Sequence, residues 1–323
     1  MGFFIVQTLL APRYNEQMTP KARKQFAQHW LRSEEALNQI VAAAQLQKSD
    51  CPEGAARSDS VSEAIPKESA LLLTADRILE IGPGTGILTR RLLPEAQSVV
   101  AVEIDRDLCK LLVQKLRSFE NFLLLQGDFL TLDLDAQLAS FPAFSNPKKV
   151  VANIPYNITG PILEKLLGTI SQPSADPFDL IVLLVQKEVA ERLYAKPSSR
   201  AFGALSVRVQ YLAECELICE VPAKAFSPPP KVDSAVVRLR PRRMELPATE
   251  PKWLETLLKL GFSSKRKMLR NNLKSVVECD RLTQLLEQLD VNPQARAEDL
   301  SVQQWVALSN LLTDFRPGMS DPS

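Results

Sequence analysis

One histidine and five scattered cysteines are all the imidazole and thiolate ligands that this 323-residue chain offers a transition metal. Structural zinc needs four Cys or His ligands at tight spacings, and only Cys215 and Cys219 lie close together, so no metal is expected. The odd, unpaired cysteine set fits reduced thiols and a cytoplasmic location. Long apolar runs are missing too. The longest, Leu180–Val185, is the length of a strand and far short of a bilayer span, so no membrane segment is expected. Gly2-Phe3-Phe4-Ile5-Val6 has no basic stretch before it, as a secretory signal would. Val6 also stands where N-myristoylation wants Ser or Thr. Residues 1–20 are read as an N-terminal tail. Net charge is nearly absent: 39 basic and 38 acidic residues leave +1, so any nucleic-acid surface must be a local patch. No internal repeat is visible.

What is present belongs to a globular protein long enough for two domains, with 45% apolar and 24% charged residues. Ser33 followed by Glu34 and Glu35 marks a helix start. Residues 48–70 lose all periodicity in Ser, Ala, Glu, Pro and Lys, and are expected to be a flexible insert. From Arg77 onward apolar runs alternate with amphipathic stretches. Ile78–Ile81, Ser98–Val102, Phe122–Leu125, Lys149–Asn153 and Leu180–Val185 are predicted strands, with helices over 86–93 and 105–117. That order predicts an α/β fold, a parallel sheet covered by helices. Ala204–Leu212 and Ala235–Leu239 are predicted to finish the sheet as antiparallel strands. Beyond Arg243 the pattern turns helical. Trp253, Leu254, Leu257, Leu258 and Phe262 share one face, and Ser301 with Gln304 forms a capping box. The expected division is a domain over 21–245 and a small all-helical domain over 246–323.

Glu80-Ile81-Gly82-Pro83-Gly84-Thr85-Gly86 follows the first of these strands. Glycines let backbone approach a ligand closely, and such loops often serve dinucleotides through G-x-G-x-x-G. The third-glycine slot of that fingerprint falls here on Ile87 or Thr89, and both fail. The spacing G-x-G-x-G, with an acid two positions before it, is instead that of class I S-adenosylmethionine (SAM) binding. Glu103 ends the second strand, 21 residues after Gly82, where a carboxylate suits a ribose diol. Asp128 ends the third, where it can accept from an adenine amino group. Either acid alone reads equally well as a solvated loop residue. Consecutive strand ends carrying the right residues favour SAM, since ligands of such folds bind at the carboxyl edge.

The fourth strand end is Asn153-Ile154-Pro155-Tyr156. By itself it reads as a strand running into a turn. Beside a methyl-donor site it becomes a holder for a flat amine. Asn153 Oδ1 and the Ile154 carbonyl can accept the two N6–H bonds of an adenine and turn its lone pair toward the methyl. Pro155 stiffens the backbone, and Tyr156 stacks on a base that has left its own stack.

The ordered set of motifs resembles the 16S ribosomal RNA adenine-N6,N6-dimethyltransferase family, whose relatives include the Erm enzymes and mitochondrial transcription factor B. The elements are Arg23-Lys24-Gln25-Phe26-Ala27-Gln28-His29-Trp30-Leu31, the glycine loop, Gly127-Asp128, Asn153–Tyr156, Gln186-Lys187-Glu188-Val189, the run Phe226–Val236 and Lys265-Arg266-Lys267. The resemblance covers about Lys21 to Leu312. It implies a Rossmann-like class I methyltransferase sheet with SAM as methyl donor. The implied cofactor contacts are His29, Leu31, Gly82, Gly84, Gly86, Glu103, Asp128 and Asn153. The family usually has Gln-Asn-Phe-Leu where this chain has Gln28-His29-Trp30-Leu31, so His29 reads either as a contact or as packing beside Trp30. Phe226 is implied to cover the target base opposite Tyr156, with core packing as its other reading. Lys187 and Glu188 are read as a helix start. Lys21, Arg23, Lys24, Lys231, Lys265, Arg266, Lys267 and Arg270 are implied RNA contacts, although such short charge runs are commonly plain solvated faces. The implied partner is 16S rRNA within the 30S subunit, met by a monomer. The rivals are an Erm-like 23S rRNA methyltransferase and a non-catalytic nucleic-acid-binding factor on the same fold.

Overall fold

A computed structural model describes residues 29–47 and 76–313. Lys21, Arg23 and Lys24, the tail at 1–20 and the insert at 48–70 lie outside the described residues. Described strands are β1 (Trp30–Leu31), β2 (Arg77–Ile81), β3 (Ser98–Glu103), β4 (Phe122–Gln126), β5 (Lys149–Asn153), β6 (Leu180–Gln186), β7 (Ala213–Val221), β8 (Phe226–Ser227) and β9 (Ser234–Pro241). Seven of them form one sheet in the order β4-β3-β2-β5-β6-β9-β7, while β1 and β8 pair separately. The pairs β2–β3, β3–β4, β2–β5 and β5–β6 are parallel. Their strands are buried along nearly their whole length, with Val99, Val100, Val150, Val151 and Ile181 through Val185 at zero exposure. That burial on both faces is why the sequence reads as continuous apolar runs and not as alternation.

The chain builds outward from β2 to β3 and β4, then returns to place β5 on the other side of β2. This reversal opens a crevice at the carboxyl ends of β2 and β5, the switch point where doubly wound sheets hold ligands. Ser33 caps the helix Glu34–Ala43 by accepting from Ala36 N. Asp105 does the same for the helix Arg106–Leu116 through Asp107 N. At the edge of the described break, Gln47 N donates to Asp76 Oδ2, which also pairs with the buried Lys149. The chain therefore leaves at 47 and returns at 76 at one point on the domain.

Two expectations for elements are corrected. Ala204–Leu212 is an α-helix and not a strand. Its Val207, Val209 and Tyr211 alternate as a strand would, but helix packing buries Ser206, Val207, Val209, Tyr211 and Leu212 together, and tertiary burial overrides β-branched propensity. The strand begins only at Ala213, at the edge of the sheet, where Glu214, Glu216 and Glu220 keep the outer row charged. The helix expected over 86–93 is reduced to Thr89–Leu92, because Gly82, Gly84 and Gly86 all take positive φ and hold the loop out of the right-handed helical region.

The chain divides into two compact units. Among the described residues, the first comprises 29–47, 76–162, 178–186 and 218–238, and the second comprises 163–177, 187–217 and 239–313. Within the second unit, Ser171 Oγ donates to Glu255 and Ala248 N donates to the Tyr211 hydroxyl. These bonds tie the earlier segments to the C-terminal helices. Trp305 is fully buried, its Nε1 donating to the Ala297 carbonyl, and the Ser301–Gln304 capping box opens its helix. Lys187 and Glu188 start the helix Lys187–Tyr194 as expected. No described helix is long and apolar enough to cross a membrane.

Candidate active site

Four adjacent strands deliver their carboxyl ends to one cavity of about 250 Å³ in the first unit. β2 supplies Gly82 and Gly84, β3 Glu103, β4 the turn at Asp128, and β5 the run Asn153–Tyr156. His29, Trp30 and Leu31 complete the lining. The structure thus brings together His29, Leu31, Gly82, Gly84, Glu103, Asp128, Asn153, Ile154, Pro155 and Tyr156. Two expected residues are not brought there. Gly86 faces the helix behind the loop: a Cβ on it would stand 2.9 Å from Leu112 Cδ2. Its glycine serves close packing, as a cofactor contact would not require. Phe226 is 4% exposed and lies in the buried cluster with Leu31, Leu37, Ile40 and Val236, so its packing reading is the observed one. Lys231, Lys265, Arg266 and Lys267 are exposed and Arg270 is partly so; none lines the cavity.

The floor of the cavity is acidic and buried. Glu103 is 5% exposed and accepts from Gly84 N at 3.2 Å and Asp105 N at 2.9 Å. Burial pushes its carboxyl up to about 6, against the pull of those two amides. Glu80 is 1% exposed, and its Oε2 has no hydrogen-bond partner. Burial pushes it up to about 8, opposed by the Thr89 hydroxyl and reinforced by Glu103. That hydroxyl makes no bond of normal geometry either. An orphaned buried carboxyl is costly and calls for a donor or a positive charge. No lysine or arginine lines the cavity, which argues against the pyrophosphate of a dinucleotide. A cationic ligand rich in hydroxyl and amino donors fits the residues present. Gly84, at φ +59°, would carry a Cβ 3.4 Å from Trp30 Cδ1, so the loop lies against that indole. Asp128 Oδ1 accepts from Leu130 N at 2.9 Å, fixing its carboxylate at the mouth. Among the described residues, no three His, Cys, Asp or Glu side chains converge as a metal would need.

The other end of the cavity is aromatic. Asn153 Nδ2 donates to the His29 carbonyl at 3.3 Å, which turns Oδ1 away to accept from elsewhere. The Tyr156 hydroxyl is hydrogen-bonded to Ser234. Burial raises the Tyr156 pKa while Ser234 lowers it, so the ring stays a neutral stacking face. The His29 ring lies 6.0 Å from that of Tyr156 at an interplanar angle of 19°, and its Nδ1 is 2.9 Å from the Pro228 carbonyl. Sequence reasoning missed Glu80 as a cavity group, although its place before the glycines was the available signal. It also missed Trp30 and Ser234. Ser234 stands 78 positions from Tyr156, a separation that no local pattern bridges.

Comparison with known proteins agrees with this geometry. Residues 19–314 match the family described as ribosomal RNA adenine dimethylase. A ribosomal RNA small subunit methyltransferase A from Nostoc sp. (strain PCC 7120) is 69% identical over 292 residues, covering 90% of this chain and 98% of the relative. Among solved structures, a dimethyladenosine transferase from Plasmodium falciparum matches with a TM-score of 0.64 and 26% identity, over 87% of this chain and 96% of that one. The 23S rRNA methyltransferase ErmE matches with a TM-score of 0.62, also at 26% identity, over 88% and 99%.

Proposed function

The chain belongs to the ribosomal RNA adenine dimethylase family, and from that premise we propose that it dimethylates N6 of two adjacent adenosines near the 3′ end of 16S rRNA, using SAM. It does so as a cytoplasmic monomer acting on the 30S particle. The observation that carries this reading is Asn153 at the switch point, its amide nitrogen engaged by His29 and its carbonyl oxygen free for an amine. When bound, SAM supplies an electrophilic methyl on a positively charged sulfur. Glu103 would hold the donor-rich side of that cofactor through the ribose diol, Glu80 would take a further donor beside it, and Asp128 would accept from its adenine amino group. Asn153 Oδ1 and the Ile154 carbonyl take the two N6–H donors of the target and pull that nitrogen out of conjugation. Tyr156 stacks on the extruded base. The chain's contribution is positional and electrostatic. It needs no base before attack, because the methylated nitrogen is acidic and sheds its proton afterwards.

The fold resembles ErmE as closely as the dimethyladenosine transferase, so architecture does not choose between ribosomal subunits. Sequence does the choosing: the small-subunit methyltransferases stand at 54–69% identity. Lys231, Lys265, Arg266, Lys267 and Arg270, with Lys21, Arg23 and Lys24, are the proposed phosphate contacts. No acidic residue interrupts 263–277.

The test is label transfer from SAM to under-methylated 30S particles, 50S particles and duplex DNA, followed by mapping of the modified base. Label confined to 23S rRNA or DNA would refute the reading, and no transfer at all would favour a binding factor. Asn153→Ala should lower transfer by at least about a hundredfold with the unfolding transition preserved; near-normal turnover would refute the amine clamp.

A further inference from the structure

Two carboxyls share the floor of a cavity that no lysine or arginine lines. Glu80 stands opposite Ala101 across the parallel pair β2–β3. Ala101 and Glu103 lie two apart on β3 and so share a face, which puts the Glu80 and Glu103 carboxyls on one side of the sheet. Glu103 is 5% exposed and satisfied by the Gly84 and Asp105 amides. Glu80 is 1% exposed, lines the cavity, and leaves Oε2 without a hydrogen-bond partner.

The groups around Glu80 do not supply a positive charge. Just after β3, Asp105 adds a second negative charge near Glu103, and burial together with both acids keeps the Cys109 thiol protonated. β5 reaches the cavity with the neutral Asn153, its Lys149 being at the opposite end of the strand with Asp76. The helix Thr89–Leu92 brings the Thr89 hydroxyl to Glu80. Its Arg91 pairs with Glu34, and its exposed Arg90 stands near Lys115. Asp128 and His29 also line the cavity, His29 Nδ1 being held at the Pro228 carbonyl.

Two buried carboxyls side by side do not both stay ionised unless a positive charge joins them. Burial pushes Glu103 up to about 6. It pushes Glu80 up to about 8, against the Thr89 hydroxyl and with help from Glu103. In the free protein at pH 7, Glu80 is therefore protonated by about ten to one. A cavity of about 250 Å³ is roughly 8 Å across if spherical, which leaves a cation in it within about 10 Å of Glu80. At an effective dielectric of about 20, that charge favours the ionised carboxyl by at least roughly 15-fold. The balance at pH 7 is thereby reversed.

We infer that Glu80 is a proton-linked sensor of cofactor charge: it holds a proton in the free protein and releases it to solvent when a positively charged ligand occupies the cavity. This rests on the proposal that the cofactor is SAM. The O–H bond of the Glu80 carboxyl breaks, its electron pair stays on oxygen, and the proton passes to the buffer; nothing is oxidised or reduced. Glu80 is in this way a specificity-determining residue. It favours a cationic cofactor through its field and gives an uncharged nucleoside nothing.

Calorimetric titration with SAM at pH 7, in two buffers of different ionisation heat, counts the protons exchanged. Wild type should release about half a proton per SAM and bind roughly fivefold more tightly at pH 7.5 than at pH 6. 5′-Methylthioadenosine, the uncharged nucleoside part of the cofactor, should bind with no release. Glu80→Gln keeps the shape and cannot ionise. It should release no proton, bind SAM about as wild type does at pH 6, and bind roughly fivefold more weakly than wild type at pH 7.5. Three results would overturn the inference: SAM binding by wild type without release, equal release with 5′-methylthioadenosine, or undiminished release in Glu80→Gln. Should Glu80→Gln not fold, difference infrared spectra of wild type take its place. The carbonyl stretch of a protonated carboxyl should vanish on adding SAM, and its absence from the free protein would overturn the inference. Failure of wild type to bind SAM at all would instead refute the proposed cofactor, and the inference with it.

Discussion

Replacing Phe226 separates two roles that its motif leaves open. The side chain is 4% exposed and sits in the cluster that joins Leu31, Leu37 and Ile40 to Val236. Truncation to Ala at such a site costs about 3–5 kcal/mol, a large part of a total stability of about 5–15 kcal/mol, and would blur any effect on activity. Phe226→Leu is the sharper probe. A hydrophobic swap of similar size costs under about 1.5 kcal/mol, enough to lower the denaturation midpoint measurably. If Phe226 is core, transfer to 30S particles stays within about threefold of wild type while the midpoint falls. If Phe226 instead stacked on the target base, its loss would remove about 1–3 kcal/mol from the bound acceptor, roughly five- to 150-fold in kcat/KM. Urea denaturation and steady-state transfer on the same preparation decide it. A fall of more than about tenfold in kcat/KM with an unchanged midpoint would refute the core assignment.

The glycine loop yields a contrasting pair. Gly84→Ala places a Cβ at φ +59° against Trp30 beside the cavity and should weaken SAM binding, whereas Gly86→Ala meets Leu112 at 2.9 Å and should lower stability first; calorimetry and thermal unfolding separate them. Glu80 predicts a pH dependence of stability in the free protein. Its folded pKa is raised to about 8 from 4.5, so its contribution is fully present below 4.5 and drains away as pH rises through 8. Glu103, raised to about 6, adds to the fall between 4.5 and 6. Glu80→Gln should flatten the decline at its upper end, and an unchanged slope would count against the buried carboxyl. Replacing Lys265, Arg266 and Lys267 together by Gln should cut the slope of log Kobs against log salt for single-stranded RNA by about 2, leaving SAM affinity unaltered; an unchanged slope would make the run a plain solvated face.

Much of the candidate site was legible because it is local. Each parallel strand is a short apolar run, and the residue that follows it necessarily lies at the sheet's carboxyl edge. The chemistry at Gly82, Glu103, Asp128 and Asn153 could therefore be read in chain order without knowing the strand order. The strands from Arg77 to Gln186 and the caps at Ser33 and Ser301 were legible for the same reason, since their signals span four to seven residues.

What escaped the sequence depends on contacts between distant segments. Alternation at Val207, Val209 and Tyr211 fits a strand or a helix buried around most of its girth, and only the neighbouring helices choose between them. Glu80 looks like any acid before a glycine loop until burial removes its water and leaves Oε2 without a partner. Phe226 and Ser234 sit in one motif, yet the turn of the chain sends the first into the core and the second to the Tyr156 hydroxyl. The sequence by itself determined the class of fold and which strand-end residues meet in the cavity, because strand ends and loop spacings carry them. Tertiary structure alone decided which ring faces Tyr156, which glycine packs against a helix and which carboxyl is stripped of water, because burial and spacing arise only when remote segments close on one another.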